Sequence, residues 1–174
     1  MPKMSFALPA AIVAAGLAFA APAFADAPEA EATLKDVDGN TVGEVDLEET
    51  PHGVLLDVEL KGFPPGDHAF HIHAVGKCEP PFKSAGGHFN PTDVEHGYFS
   101  KTGPHAGDMP NIHVPASGKL DFEVFNPMVT FNGDNALFDE DGAAIMIHDG
   151  EDDYESQPSG DAGSRIACGV ITAD

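Results

Sequence analysis

The chain predicts an all-β fold, a Greek-key antiparallel β-sandwich or flattened barrel. Short runs of alternating apolar and polar residues recur at residues 32–35, 41–47, 54–60, 68–73, 120–125, 144–148 and 166–171. That period of two belongs to a strand with one buried face. Turn-forming sequences separate many of the runs: Asp38-Gly39-Asn40, Pro64-Pro65-Gly66, Asn132-Gly133-Asp134 and Asp141-Gly142. After the apolar N-terminal stretch no sustained 3.6-residue pattern argues for a helix.

Taken in order, residues 1–25 read as an export signal peptide. Lys3 precedes an apolar stretch at residues 6–21, and Ala23-Phe24-Ala25 supplies the small residues after which signal peptidase cuts. Cleavage there makes Asp26 the first residue of the mature chain. Pro9 interrupts the stretch, which is short for a bilayer span, so no membrane anchor is expected to be retained. Residues 26–174 remain, 149 of them (174 less 25), enough for one domain with a sizeable core. Neither an internal repeat nor a second domain is visible. Residues 26–31 read as a flexible tail. Between residues 75 and 115 a Gly- and Pro-rich tract has neither helical nor strand periodicity, and long loops of that kind inside a compact domain are usually functional.

Charge narrows the partners. There are 29 Asp and Glu against 8 Lys and Arg, a formal net of −21 that becomes −22 when Lys3 leaves with the leader. Phosphate binding needs the opposite sign, so nucleic acid is excluded as a partner. Residues 134–140 and 151–153 read as solvated acidic surface, apart from Asp152.

Chemistry is concentrated in seven donors: His71, His73, His88, His96, His105, His148 and Asp108. His71 and His73 sit two apart, so one strand presents both on the same side. The donors His88, His96, His105 and Asp108 fall in the 75–115 tract, which makes them long metal-binding loops that an ion can order. Seven donors are too many for one four-coordinate ion. They fill two such sites if one imidazole serves both through its two ring nitrogens. The bland alternative is a set of surface histidines on a mobile loop.

These residues carry a resemblance. His71-Ile72-His73, Ala85-Gly86-Gly87-His88-Phe89-Asn90-Pro91, Glu95-His96-Gly97, His105-Ala106-Gly107-Asp108, Ile147-His148 and Gly163-Ser164-Arg165-Ile166-Ala167-Cys168-Gly169-Val170 resemble, in order, the motifs of the copper/zinc superoxide dismutases, of the bacterial exported type. The likeness runs from about residue 30 to residue 172. It implies one copper and one zinc ion per chain, copper on His71, His73, His88 and His148, and zinc on His88, His96, His105 and Asp108. His88 is then the shared imidazole. The implied reaction converts two superoxide ions to dioxygen and hydrogen peroxide by redox cycling of copper, with Arg165 guiding the anion and His88 passing on a proton. By position, Asp152 links a copper histidine to a zinc histidine and Ser159 narrows the approach. The resemblance also pairs Cys78 with Cys168 in a disulfide, which an exported chain can form. Lys77, Lys83 and Lys101 are possible outer contributors to steering.

His68 matches a histidine that supports the fold without binding metal, and His52 and His113 match no ligand position. Cys78 follows His73 by only five positions, a short segment that leaves monomer or homodimer open. An Ala-rich leader of this kind suits export to a bacterial periplasm, where the enzyme would protect the cell envelope from superoxide. The alternative function is an exported copper-binding carrier on the same fold, which could dispense with Arg165 and a complete zinc set. An immunoglobulin-like adhesion domain accounts for a sandwich but leaves the seven donors unexplained.

Overall fold

The computed structural model describes residues 29–173 together with Met1. The expected leader beyond Met1, and the cleavage point before Asp26, lie outside the described residues. Ten strands form: β1 (Glu29–Asp36), β2 (Thr41–Thr50), β3 (Gly53–Lys61), β4 (Gly66–His68), β5 (Phe70–His73), β6 (Ile112–Val114), β7 (Lys119–Asn126), β8 (Ala144–His148), β9 (Arg165–Val170) and β10 (Thr172–Ala173). One single-turn 3-10 helix, Lys83–Ala85, interrupts the loops. Among the described residues no helix is long and apolar enough to cross a membrane.

Alternation places the core. β1, β2 and β3 form a meander in which Val45 faces Val58 and Leu47 faces Leu56, all four buried. Asp36 closes the first turn by accepting the N–H groups of Asp38 and Asn40 at 3.0 and 2.8 Å. Inward residues of β1 to β3 meet Phe70, Ile72, Ile145 and Ile147 from β5 and β8 in one cluster. Each fully buried Leu or Ile contributes about 1.5–3 kcal/mol relative to exposure.

The hydrogen-bonded order is β5-β8-β9-β1-β2-β3-β7, antiparallel throughout, with β10 pairing the start of β1. β3 pairs β7 and not β4, and β8 lies between β5 and β9, so the two long connections cross from one edge to the other as in a Greek key. β4 pairs β6, and β6 leads through residues 115–118 into β7. The sheet therefore curls until its two edges meet through a short turn, giving the flattened barrel expected.

β5 and β8 are buried on both faces. Phe70, Ile72, Ile145 and Ile147 fill the barrel, whereas His71, His73, Met146 and His148 point outward beneath the loops. A second small cluster of Phe82, Ala85, Ala144, Met146 and Cys168 fills part of that outer layer. Cys78 and Cys168 are joined in a disulfide across 90 residues, tying the loop to β9.

Three expectations need correction. Glu29–Glu31 are the start of β1 and no tail: Ala30 is buried, and the segment pairs with both β2 and β10. Alanine is too weakly apolar to mark the alternation by itself. The run at 68–73 is two strands, because Ala69 turns its N–H to Gly150 O and its carbonyl to His148 N instead of continuing one ladder. The 75–115 tract ends in β6, three residues whose only partner is β4, 46 positions away at His113 and Asp67.

Cys168→Ser should lower the thermal midpoint, since a bridge closing about 90 residues contributes about 4–5 kcal/mol in the chain-entropy model. Calorimetry of the oxidised wild type and the variant checks this; equal midpoints would contradict it.

Candidate metal centre

The free edge of β5 assembles the donors. Isolated bridges pair His71 with Asp108 and His73 with His88, so the loop tract adds itself to that edge as two short pieces of ladder. Between them, Ile72 N–H donates to Gly107 O, Gly107 N–H to Phe89 O, and Phe89 N–H to Ile72 O, at 2.8–2.9 Å. Gly107 is required there, because a Cβ would lie 2.2 Å from Ile72 O. A structureless tract thus becomes an ordered cover over outward-facing histidines.

Two sets of four donors result: His71, His73, His88 and His148, and His88, His96, His105 and Asp108. Within each set the donor atoms lie within 4.8 Å of one another, and every one of the seven residues is buried. His88 belongs to both. Its Nδ1 is 2.8 Å from Asp108 Oδ1, and its Nε2 faces the other set. His96 Nδ1 and His105 Nδ1 lie 3.0 and 3.4 Å from the same oxygen. Four donors around a tetrahedral ion with bonds of about 2.0–2.1 Å stand about 3.3 Å apart. The second set is close to that spacing.

Six buried ring nitrogens have no hydrogen-bond partner: Nδ1 of His71, His96 and His105, and Nε2 of His73, His88 and His148. All six belong to the two sets. The opposite nitrogens of five rings are satisfied: His71 and His96 through Nε2 by Asp152 at 2.8 and 2.9 Å, His73 through Nδ1 by Gly86 O at 3.1 Å, His105 through Nε2 by Val94 O at 3.1 Å, and His148 through Nδ1 by Gly163 O at 3.3 Å. Each ring donates a proton outward and leaves its other nitrogen facing inward, where a metal ligand needs it. The orphaned nitrogens fit two cations.

Electrostatics agrees. Burial holds His73 well below the ordinary imidazole range and brings His88 to about 4 and His148 to about 3, so all three are neutral donors at pH 7. Burial also disfavours charge on His96, but the Asp108 and Asp152 carboxylates outweigh it and raise His96 to about 9. Both carboxyl groups are held below their ordinary range; burial opposes this, and the histidines beside them prevail. The remaining oxygen of Asp108, Oδ2, accepts the N–H groups of Gly97 and His105 at 2.9 Å. Gly160 must lack a side chain, because its φ is +67° and a Cβ would overlap Asp152 Oδ1.

A cavity of about 510 Å³ opens beside the two sets, bordered by His73, His88, His105 and His148 and walled by Asn90, Val94, Gln157, Ser159 and Arg165. Arg165 is its only permanently charged lining group. The guanidinium donates to Phe82 O at 2.7 Å and Gly86 O at 2.6 Å and meets no carboxylate, so its charge is not neutralised. Lys77, Lys83 and Lys101 are exposed and line no part of the cavity. His68 lies elsewhere, its ring nitrogens 2.8 and 2.9 Å from His148 O and Pro64 O. His52 and His113 are exposed, and His113 pairs with Asp67 at 2.7 Å.

Residues 41–171 match the family model for copper/zinc superoxide dismutase. The chain belongs to the copper/zinc superoxide dismutase family. It is 48% identical over 164 residues to Cu-Zn superoxide dismutase 2 of Aquifex aeolicus, covering 92% of this chain and 96% of that one. To the Cu-Zn superoxide dismutase of Caulobacter vibrioides it is 45% identical over 147 residues, covering 82% and 84%. The crystal structure of a SOD-like protein from Bacillus subtilis superposes with a TM-score of 0.77 at 37% identity, covering 80% of this chain and 96% of that one. For the Cu/Zn superoxide dismutase from Brucella abortus the TM-score is 0.68 at 28% identity, over 83% and 99%.

In this family member the carbonyls of Gly86, Val94 and Gly163 that accept from the rings were not foreseen from sequence, nor were the side chains of Asn111 and Gln157, which bond to the backbone of Asp152 and His96. Backbone acceptors carry no residue-type signal, and single amides are common on any surface.

In the metal-free protein His96 should remain protonated through neutral pH. Because its pKa is raised from 6.5 to about 9, the stability from its carboxylate contacts is complete below pH 6.5 and is lost as pH rises through about 9. A ring-proton NMR titration with a midpoint at or below 6.5 would contradict the pairing.

Proposed function

We propose that the chain dismutates superoxide in the cell envelope, holding copper on His71, His73, His88 and His148, and zinc on His88, His96, His105 and Asp108. The observation that carries this reading is the pair of donor sets sharing His88, with six orphaned buried nitrogens aimed into them. Imidazole suits copper and zinc, and a closed set with one carboxylate suits a structural zinc ion. When bound, copper supplies the one-electron redox chemistry that turns two superoxide ions into dioxygen and hydrogen peroxide.

The chain supplies the rest. Arg165 draws the anion into the cavity against a net charge of −22 (−21 less the charge of Lys3), and its fork stays aimed because two carbonyls hold it. Ser159 narrows the approach. His88 can hold a proton at Nε2 and release it toward peroxide, while Nδ1 stays engaged beside Asp108. Asp152 fixes the rings of His71 and His96 together, so a change at one donor set is felt at the other. Residues 1–25 serve as the leader, and the domain of residues 26–174 works in the periplasm; the apolar stretch ending in Ala23-Phe24-Ala25 supports this.

Metal analysis together with superoxide decay by pulse radiolysis tests the reading. One copper and one zinc per chain, with activity lost on copper removal, is expected; metal-loaded but inactive protein would favour a copper carrier. Arg165→Ala should keep both metals and slow the reaction about tenfold or more, the equivalent of about 1.4 kcal/mol. Removing this cation leaves a negative field, so added salt should then speed the reaction. An unchanged rate would exclude Arg165.

His88→Ala should weaken both metals, whereas His96→Ala should weaken zinc and leave copper partly bound. Separate titrations check this, and exclusive loss of zinc in both variants would rule out a shared ligand.

A further inference from the structure

Three primary amides around the zinc-side donors make the same unusual contact. Asn90 donates through Nδ2 to Val94 O at 2.9 Å and accepts Val94 N–H through Oδ1 at 3.2 Å. Asn111 donates to Asp152 O and accepts Asp152 N–H, both at 2.8 Å. Gln157 donates to His96 O and accepts His96 N–H, both at 2.9 Å. Each amide therefore grips both backbone groups of a single residue. A carboxylate lacks the donor and a lysine or arginine lacks the acceptor, whereas an Asn or Gln amide carries both side by side.

Each of the three gripped residues bears on the zinc-side donor set, and Asp152 bears on His71 of the copper side as well. Val94 O orients His105 through Nε2, Asp152 Oδ1 orients His96 through Nε2, and His96 is itself a donor. Gln157 reaches across 61 residues and Asn111 across 41, so these two tie separate loops together. Gln157 also lines the cavity, two residues before Ser159. On the copper side the orienting carbonyls of His73 and His148 belong to Gly86 and Gly163, and among the described residues no amide side chain grips either residue.

We propose that Asn90, Asn111 and Gln157 are positioning residues that hold the zinc-side donors in ligating geometry before the ion arrives. Gln157 in addition fastens His96 to the wall of the anion cavity. The clamps act through backbone position, and so through the entropy an incoming ion would otherwise have to remove from two loops. This rests on the reading that His88, His96, His105 and Asp108 bind zinc.

Cobalt(II) is the probe, titrated into the full disulfide-bonded mature chain after its metals are stripped, with visible absorption reporting a tetrahedral site. Gln157→Met and Asn111→Leu, which keep bulk but remove the amide, should each weaken cobalt binding about tenfold or more. Gln157→Ala should match Gln157→Met, and in both variants copper(II) affinity at the other donor set should fall less than cobalt affinity does. Cobalt affinity at the wild-type level in Gln157→Met would overturn the proposal, even if the variant melts earlier. Because Gln157 is exposed, that variant decides the matter should Asn111→Leu fail to fold. Absence of a tetrahedral cobalt spectrum from the wild type would instead overturn the zinc-site reading beneath it.

Discussion

Six buried imidazole nitrogens with no hydrogen-bond partner are the constraint on which the rest of the structure depends. A buried polar atom left unpaired costs about 1–3 kcal/mol, and the four that lie away from Asp108, on His71, His73, His88 and His148, together take up much of the stability a domain of this size has. Protonation is no remedy for His73, His88 and His148, because burial and their neighbours keep them neutral. Two cations, one in each donor set, would satisfy all six at once. The shared ring of His88 makes the two sites a single unit, and Asp152 joins them a second time from outside.

The division of labour between barrel and loops follows. The barrel needs only Val, Leu, Ile and Phe at alternate positions, and it supplies rigid outward faces on β5 and β8. On those faces stand three of the donors, His71, His73 and His148. The loops bring the other four and must lie close to the sheet to do so, which is why Gly107 meets Ile72 O directly and why the disulfide fastens the loop beside β9. The same fastened segment carries the Phe82 and Gly86 carbonyls that aim Arg165.

The acidic charge is placed away from this chemistry. Glu31, Asp46, Asp57 and Glu123 stand directly opposite one another across β1, β2, β3 and β7, as Glu44, Glu59 and Asp121 do across β2, β3 and β7. Like charges in register weaken a sheet. None of these carboxylates lines the cavity, whose field is set by Arg165.

The amino-acid sequence by itself determined most of the strands, because alternation is a local property written every two residues, and it singled out all seven candidate donors, because imidazole and carboxylate are chemically distinctive. It did not reveal β6 or the first residues of β1, whose pairing energy comes from strands far along the chain. Nor could it say which nitrogen of each ring faces inward. That depends on acceptors such as Gly86 O, Gly163 O and Asp152, brought within hydrogen-bond reach from 13 to 81 residues away. Asn111 and Gln157 were silent for the same reason: an amide becomes a clamp only when folding sets both backbone groups of one residue before it.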